Sequence, residues 1–482
     1  MLKKIVFTLC FVCIGLSAQT VNVGVQQNDL PEIGVVASNA MSINREMAIG
    51  DVYMRQLRAQ APLINDPLLE EYIQDIGNRL VSQANDVKFP FAFFLLNSND
   101  INAFAFFGGH IGVHSGLILA ADNESELASV LSHEITHVTQ RHLARRIESS
   151  QNSSPLQIAS LIGGLLLAVV NPEVGMAAIT VGSAAGQQAA INYTRSNEKE
   201  ADRLGMQILS KAGFDTRAAA TFFGKLAERY RFKSKPPAFL LSHPLPESRI
   251  ADARARADLY YTPTLAPSLA FSLAKSRLIA RYTDNDDSNE YYFSQLMKNT
   301  NAVMQAAGRY GLTLMQLKKK QFDQAKATLQ PLIDQYPGNL FFVDTATDIF
   351  VEQDQFTEAV AMLDPLLAHT PRNRVLVLNM ANALIQLKQF DRAILMLKDY
   401  LLLNPTHTLS LNLLTDAYAE NQQKLEMHQT RAEYYALLSI YPKAIDELQN
   451  AYNYANDKNL EKQRIRARIE QFREADRKLK AL

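Results

Sequence analysis

Four residue types recur at a step of 34 in the last third of the chain. Phe322, Phe356 and Phe390 form one set, and Ala325, Ala359 and Ala393 a second. Leu329, Leu363 and Leu397 keep the same phase, as do Pro337, Pro371 and Pro405. A period of this length signals stacked supersecondary units, none of which can bury its apolar face alone. Each unit reads as a helix pair. A fourth, looser copy reads at Tyr441, Pro442, Lys443 and Ala444 with Leu448, which implies an insertion of about 17 residues after the third. Residues 268–297 supply a preceding helical unit.

Period and residue types resemble the tetratricopeptide repeat, which implies that the small Ala permits close helix approach, the aromatic fills the gap between helices and the Pro ends the second helix; such arrays bind peptides or partners on a concave face. Residues 268–482 are therefore expected to form an all-α array. The stretch Tyr261, Thr262, Pro263, Thr264, Leu265, Ala266 and Pro267 reads as a linker. Cutting there, by deletion of residues 265–482, is expected to leave the upstream site intact yet lose partner recruitment.

The opposite end reads as a leader. Lys3 and Lys4 precede an uncharged apolar run over residues 5–16, and Gly15, Ser17 and Ala18 are small. This is the pattern of a secretory signal peptide, residues 1–18, cut after Ser17 or Ala18. Export is the expectation. Cys10 and Cys13, the chain's two cysteines, both lie inside the leader. A mature chain without thiols must hold any metal through His and carboxylates. Lys+Arg and Asp+Glu both number 49. A bulk basic surface is thereby excluded, and no nucleic-acid partner is expected.

Residues 19–260 remain. Residues 47–57 and 67–84 pattern as amphipathic helices, and residues 89–96 as a strand. Residues 102–118, rich in apolar side chains and glycine, read as strand, turn, strand. Residues 121–146 read as one helix, opened by a capping box of Asn123 and Glu126. Residues 156–170 and 175–190 read as a buried helical hairpin, with contact at a membrane surface as the alternative, since a full span needs about 20 residues. Residues 197–211 are a further helix.

The helix from Asn123 carries His133, Glu134, Ile135, Thr136 and His137. Positions four apart lie about 40° apart on a helix, so both imidazoles can face one metal ion. Glu134 can then reach a water without ligating the metal. This is the HExxH arrangement of zinc metallopeptidases. A metzincin would continue with Gly and His where this chain has Gln140 and Leu143, so that class is excluded. His142 falls about 180° around the helix and is expected to be structural. Downstream, Glu198 and Asp202 share a helix face. Glu198 can ligate zinc while Asp202 reaches the free N–H of a ligand histidine. Glu200 points away from both and reads as a solvated charge.

The stretches NAFAFFGGHIGVHSGLI, SHEITHVTQRH, NEKEADRLG and SHPLPESRI resemble the gluzincin family of CAAX prenyl protease and HtpX type. With the leader and the repeats, the chain resembles that family's periplasmic β-barrel assembly-enhancing branch. The resemblance implies an α+β fold: a mainly helical zincin domain with a small β-sheet, then the array. It implies one Zn²⁺ per subunit on His133, His137 and Glu198, with Glu134 as general base and Asp202 in support. It implies endopeptidase activity on misassembled outer-membrane β-barrel proteins and on unfolded polypeptides, with the β-barrel assembly machinery as partner. The alternative is a chaperone or scaffold working through the repeats, its protease site latent. Arg249 and His243 are the candidate oxyanion donors. His243, aimed from a backbone stiffened by Pro244 and Pro246, is also a candidate latch or fourth ligand. Gly108, Gly109, His110, Ile111, Gly112, Val113 and His114 are expected to form an edge strand on which substrate adds.

Overall fold

The computed structural model describes residues 41–149, 184–231, 239–240, 243–244, 247–261 and 264–480, with side chains at 149 and 184–194 excepted. The expected leader and most of the apolar hairpin lie outside the described residues. Among the described residues, no helix is long and apolar enough to cross a membrane.

Helix α1 (Ile43–Gln60) precedes α2 (Pro67–Val81). Asp66 caps α2 by accepting from the Leu68 and Leu69 amides, and Pro67 at the first turn has no N–H to lose. Three strands follow: β1 (Ala92–Leu96), β2 (Ala103–Phe106) and β3 (His110–His114). Their order is β1-β3-β2, parallel between β1 and β3 and antiparallel between β2 and β3. Gly108 and Gly109, at φ 78° and 83°, make the turn between β2 and β3, a conformation costly for any residue with a Cβ. The stretch from Gly108 to His114 is therefore turn plus central strand. This corrects the expected edge: a strand paired on both sides has no free backbone to offer, and the open edge next to the HExxH helix belongs to β2.

Ile111 and Val113 face the main core. His110, Gly112 and His114 fall on the other face, among Phe94, Phe104 and Phe106. His114 is 3% exposed, and neither ring nitrogen has a hydrogen-bond partner. Burial pushes its pKa down to about 4, against the pull of Asp100. A folded pKa below the unfolded value stabilises fully above about pH 6.5, and the contribution is lost as pH falls toward 4. From pH 7.5 to 4.5 the loss is about 2–3 kcal/mol. In urea unfolding of chelator-treated protein, His114→Leu is expected to lose that much less stability over the same interval. Parallel losses in both proteins would refute it.

Helix α3 (Ser115–Ala120) leads to α4 (Glu124–Thr139). Asn123 accepts from the Glu126 amide, while the Glu126 carboxylate accepts from Asp122 N–H, one residue earlier than a strict capping box. The single helix expected over 121–146 is broken. Arg141, at φ 51°, turns the chain into α5 (His142–Ser149). The break is held from α1: buried Glu46 receives the Arg141 guanidinium, which also donates to Met41 O. Helix α6 (Ala184–Lys211) crosses α4, followed by α7 (Arg217–Tyr230) and α8 (Glu247–Ala257). Gly205 permits that crossing, because a Cβ there would sit 3.2 Å from the His133 backbone.

Residues 264–268 carry no regular structure, and paired helices then follow. They are α9 (Leu269–Tyr282), α10 (Asp286–Leu296), α11 (Ala302–Lys318), α12 (Phe322–Gln335), α13 (Leu340–Glu352), α14 (Phe356–His369), α15 (Arg374–Gln386), α16 (Phe390–Leu403), α17 (Thr408–Glu420), α18 (Lys424–Leu437), α19 (Tyr441–Tyr454) and α20 (Asn459–Lys480). The left-handed residues Lys320, Asp354, Lys388 and Gln422 recur at the same 34-residue step, each closing a first helix. The helices that follow them start at Phe322, Phe356, Phe390 and Lys424. The period thus continues at Lys424, where the aromatic is absent, and no segment is inserted. Tyr441 opens the first helix of the next pair, although its residues pattern like a second.

The array is not a detachable arm. One buried cluster contains Leu68, Leu127 and Phe222 from upstream of residue 261 together with Leu278, Tyr310 and Phe342 from downstream. Ser268 donates to Glu124, and Lys275 donates to Ala121 O. Farther along, Arg374 pairs with Glu70 at 3.0 Å, and Arg55 donates to Ala436 O. Deleting residues 265–482 would therefore open this core.

Candidate metal centre

Helix α4 presents His133 and His137 one turn apart, and their Nε2 atoms converge to 3.0 Å. Helix α6 brings Glu198, whose carboxylate lies 3.4 Å from each of those nitrogens. His243 enters from the segment before α8. Its Nδ1 is 3.0 Å from Glu198 Oε1 and 3.4 Å from His133 Nε2. All four donors lie within 4.8 Å of one another, and His133, Glu198 and His243 are buried. A tetrahedron with bonds of about 2.0–2.1 Å has edges of roughly 3.3 Å. The separations among His133, His137 and Glu198, 3.0–3.4 Å, fit it.

The charges agree. Burial opposes ionisation of Glu198, yet His243 and His133 hold its carboxyl well below the usual range. Burial likewise opposes a charge on His133, but Asp202 and Glu198 draw its imidazole up to about 10. The carboxylates thus pull positive charge into the centre, the behaviour of a cation site.

Glu134 is buried beside these donors, its Oε1 3.4 Å from His243 Nε2. Burial pushes its pKa up, against His243 and His133, and the Ala105 amide of β2 donates to its carboxylate. Asp202 Oδ1 lies 3.1 Å from His133 Nδ1. Arg249 donates to both Asp202 oxygens at 2.7 Å and to Pro244 O, and its Nη1 sits 2.8 Å from Glu198. With four of its five N–H groups engaged, Arg249 anchors the two carboxylates. That role differs from the oxyanion donor expected from sequence.

Two residues set aside from sequence also enter. His142 Nδ1 is 2.9 Å from His137 Nδ1, because the break at Arg141 swings α5 back toward the site. Glu200, expected to be solvated, receives His142 at 3.2 Å and Arg145 at 3.0 Å. These partners hold its carboxyl down at about 2. No sequence signal marked the break, since Arg141 is neither Gly nor Asn. By contrast, residues 108–114 supply no donor to the centre.

Comparison with known proteins agrees with this geometry. Residues 67–257 match peptidase family M48, and residues 308–339 and 350–417 match tetratricopeptide repeats. The chain is 47% identical over 341 residues to the β-barrel assembly-enhancing protease of Yersinia pestis, covering 70% of each chain. It is 48% identical over 324 residues to that of Escherichia coli, covering 67% of this chain and 66% of the relative. The metalloprotease LoiP of Escherichia coli is 25% identical over 224 residues, 45% of this chain and 84% of its own. With the HExxH pair, the downstream glutamate and the repeat array on one continuous core, this chain belongs to the M48 metallopeptidases, in the β-barrel assembly-enhancing protease family.

Proposed function

We propose that this chain is a periplasmic zinc endopeptidase that removes misassembled outer-membrane β-barrel proteins and assists their assembly. The convergence of His133, His137 and Glu198, with Glu134 alongside, carries the reading. The relatives' names and the leader pattern of residues 1–18 support the substrate class and the compartment. One Zn²⁺ held by those three residues would supply Lewis acidity toward a carbonyl and lower the pKa of water. Glu134 takes the proton of the attacking water and returns it to the leaving amine. Asp202 fixes the His133 tautomer, and Arg249 keeps Asp202 and Glu198 ionised and in place.

Substrate pairs as an extended strand with the open edge of β2. The register points the backbone groups of Ala103 and Ala105 to that edge, where the Ala105 amide is the one that Glu134 holds. The second of these already touches Glu134, so a strand bound there runs past the base. Recognition through backbone suits unfolded chains, because it reads shape more than sequence. The repeats dock the assembly machinery or its clients.

His243 acts as a latch. It stands in the fourth donor position, where it would exclude water. His243→Ala is expected to raise cleavage of β-casein several-fold, measured as initial rate at equal metal loading. Unchanged cleavage would dismiss the latch, and a clear loss would make His243 an oxyanion donor. A latched site also keeps the scaffold reading in view. If Glu134→Gln, inactive as a protease, still fully supported outer-membrane assembly, the repeats would be the main working part.

A further inference from the structure

We propose that His142 and Glu200 form a hydrogen-bonded relay that sets the tautomer of His137 and thereby the metal affinity of the site. The inference rests on the ligand reading above.

His137 directs Nε2 into the centre, 3.0 Å from His133 Nε2 and 3.4 Å from Glu198. To ligate through Nε2 it must carry its proton on Nδ1. That nitrogen faces only another nitrogen, His142 Nδ1, at 2.9 Å. The contact is attractive when His142 Nδ1 is a lone pair, which places the His142 proton on Nε2. There it meets Glu200 Oε2 at 3.2 Å, an oxygen that also receives Arg145. Each proton position follows from the next: Glu200 accepts from His142, His142 accepts from His137, and His137 presents its lone pair inward. No proton is transferred.

Both ligand histidines are then backed by a carboxylate of α6. Asp202 reaches His133 directly, at 3.1 Å. Glu200 lies two residues away, about 200° around the helix, and cannot reach His137 itself. The break at Arg141 supplies the bridge, and Glu46 holds that break from α1. His142 is 4% exposed, so water does not compete for its ring. His142 and Glu200 are positioning residues. Neither lies in the four-donor group.

The test is zinc affinity of the full mature chain, by competition with a chromophoric chelator, alongside the visible spectrum of the cobalt-substituted protein. His142→Phe keeps the ring and removes both nitrogens. It is expected to weaken zinc binding 10–100-fold and to shift the cobalt bands, with an unchanged melting temperature of the metal-free protein. Glu200→Gln, at a part-exposed helix position where folding is not at risk, is expected to weaken zinc in the same direction. His142→Gln offers one acceptor and one donor in the original polarity and is expected to recover part of the loss. Zinc affinity within two-fold of wild type in both His142→Phe and Glu200→Gln would overturn the relay. Wild-type protein that binds no zinc would instead overturn the ligand assignment beneath it.

Discussion

Glu134→Gln is expected to lower cleavage of unfolded protein by about 10²–10⁴-fold while leaving zinc near one per chain. The amide keeps the shape of the carboxylate but cannot accept a proton. Its environment is otherwise undisturbed: Glu134 is 1% exposed, and its neighbours are His243 and the Ala105 amide. Because it lies outside the donor group, metal binding and hydrolysis separate in this variant. β-Casein cleavage and metal content, measured on the same preparation, decide it. Residual cleavage above a tenth of wild type would remove Glu134 from the role of base. Loss of zinc together with activity would make it a ligand.

Arg277→Ala carries the largest expected loss of stability. Arg277 of α9 is 2% exposed, 2.6 Å from Asp66 and 2.9 Å from Asp344, and it donates to the Tyr310 hydroxyl at 3.0 Å. Burial disfavours its charge, but Tyr310, Asp344 and Asp66 hold its pKa well above the usual value. Truncation strands two buried carboxylates, a loss of about 3–5 kcal/mol. Asp66 also caps α2, so the damage reaches the peptidase half. Unfolding followed by circular dichroism and by zinc release should shift together, since the core is shared. Replacing Asp66 and Asp344 by Asn in the same chain is expected to restore part of the loss, because no uncompensated charge remains and Asn still caps. A shift under about 1 kcal/mol would show that these carboxylates find other partners.

Much of the site was legible because its chemistry is local. The spacing of His133, Glu134 and His137 follows from one helical turn, and Glu198 and Asp202 from another. The 34-residue step is likewise carried by side chains within each helix pair. What escaped was non-local. The pattern of residues 102–118 correctly suggests two strands about a turn, but strand order depends on β1, which pairs with β3 and leaves β2 open. Lys424 lacks the aromatic marker, so the repeat there was legible only from backbone phase. An unbroken helix would put His142 on the far face, away from His137. The residue that breaks it, Arg141, is held by Glu46, 95 residues earlier.

The sequence by itself determined the chemical class and the helical-pair architecture and offered the candidate donors, since these rest on the spacing of a helical turn and on the 34-residue step. Tertiary structure decided how those pieces act on one another. It committed Arg249 to two carboxylates, brought His243 into the donor group and joined Glu200 to His137 through His142. It also joined the array to the peptidase through one core. The physical reason is the same throughout. A buried charge or polar ring must find a partner, and which partner lies within about 3 Å depends on how distant segments pack.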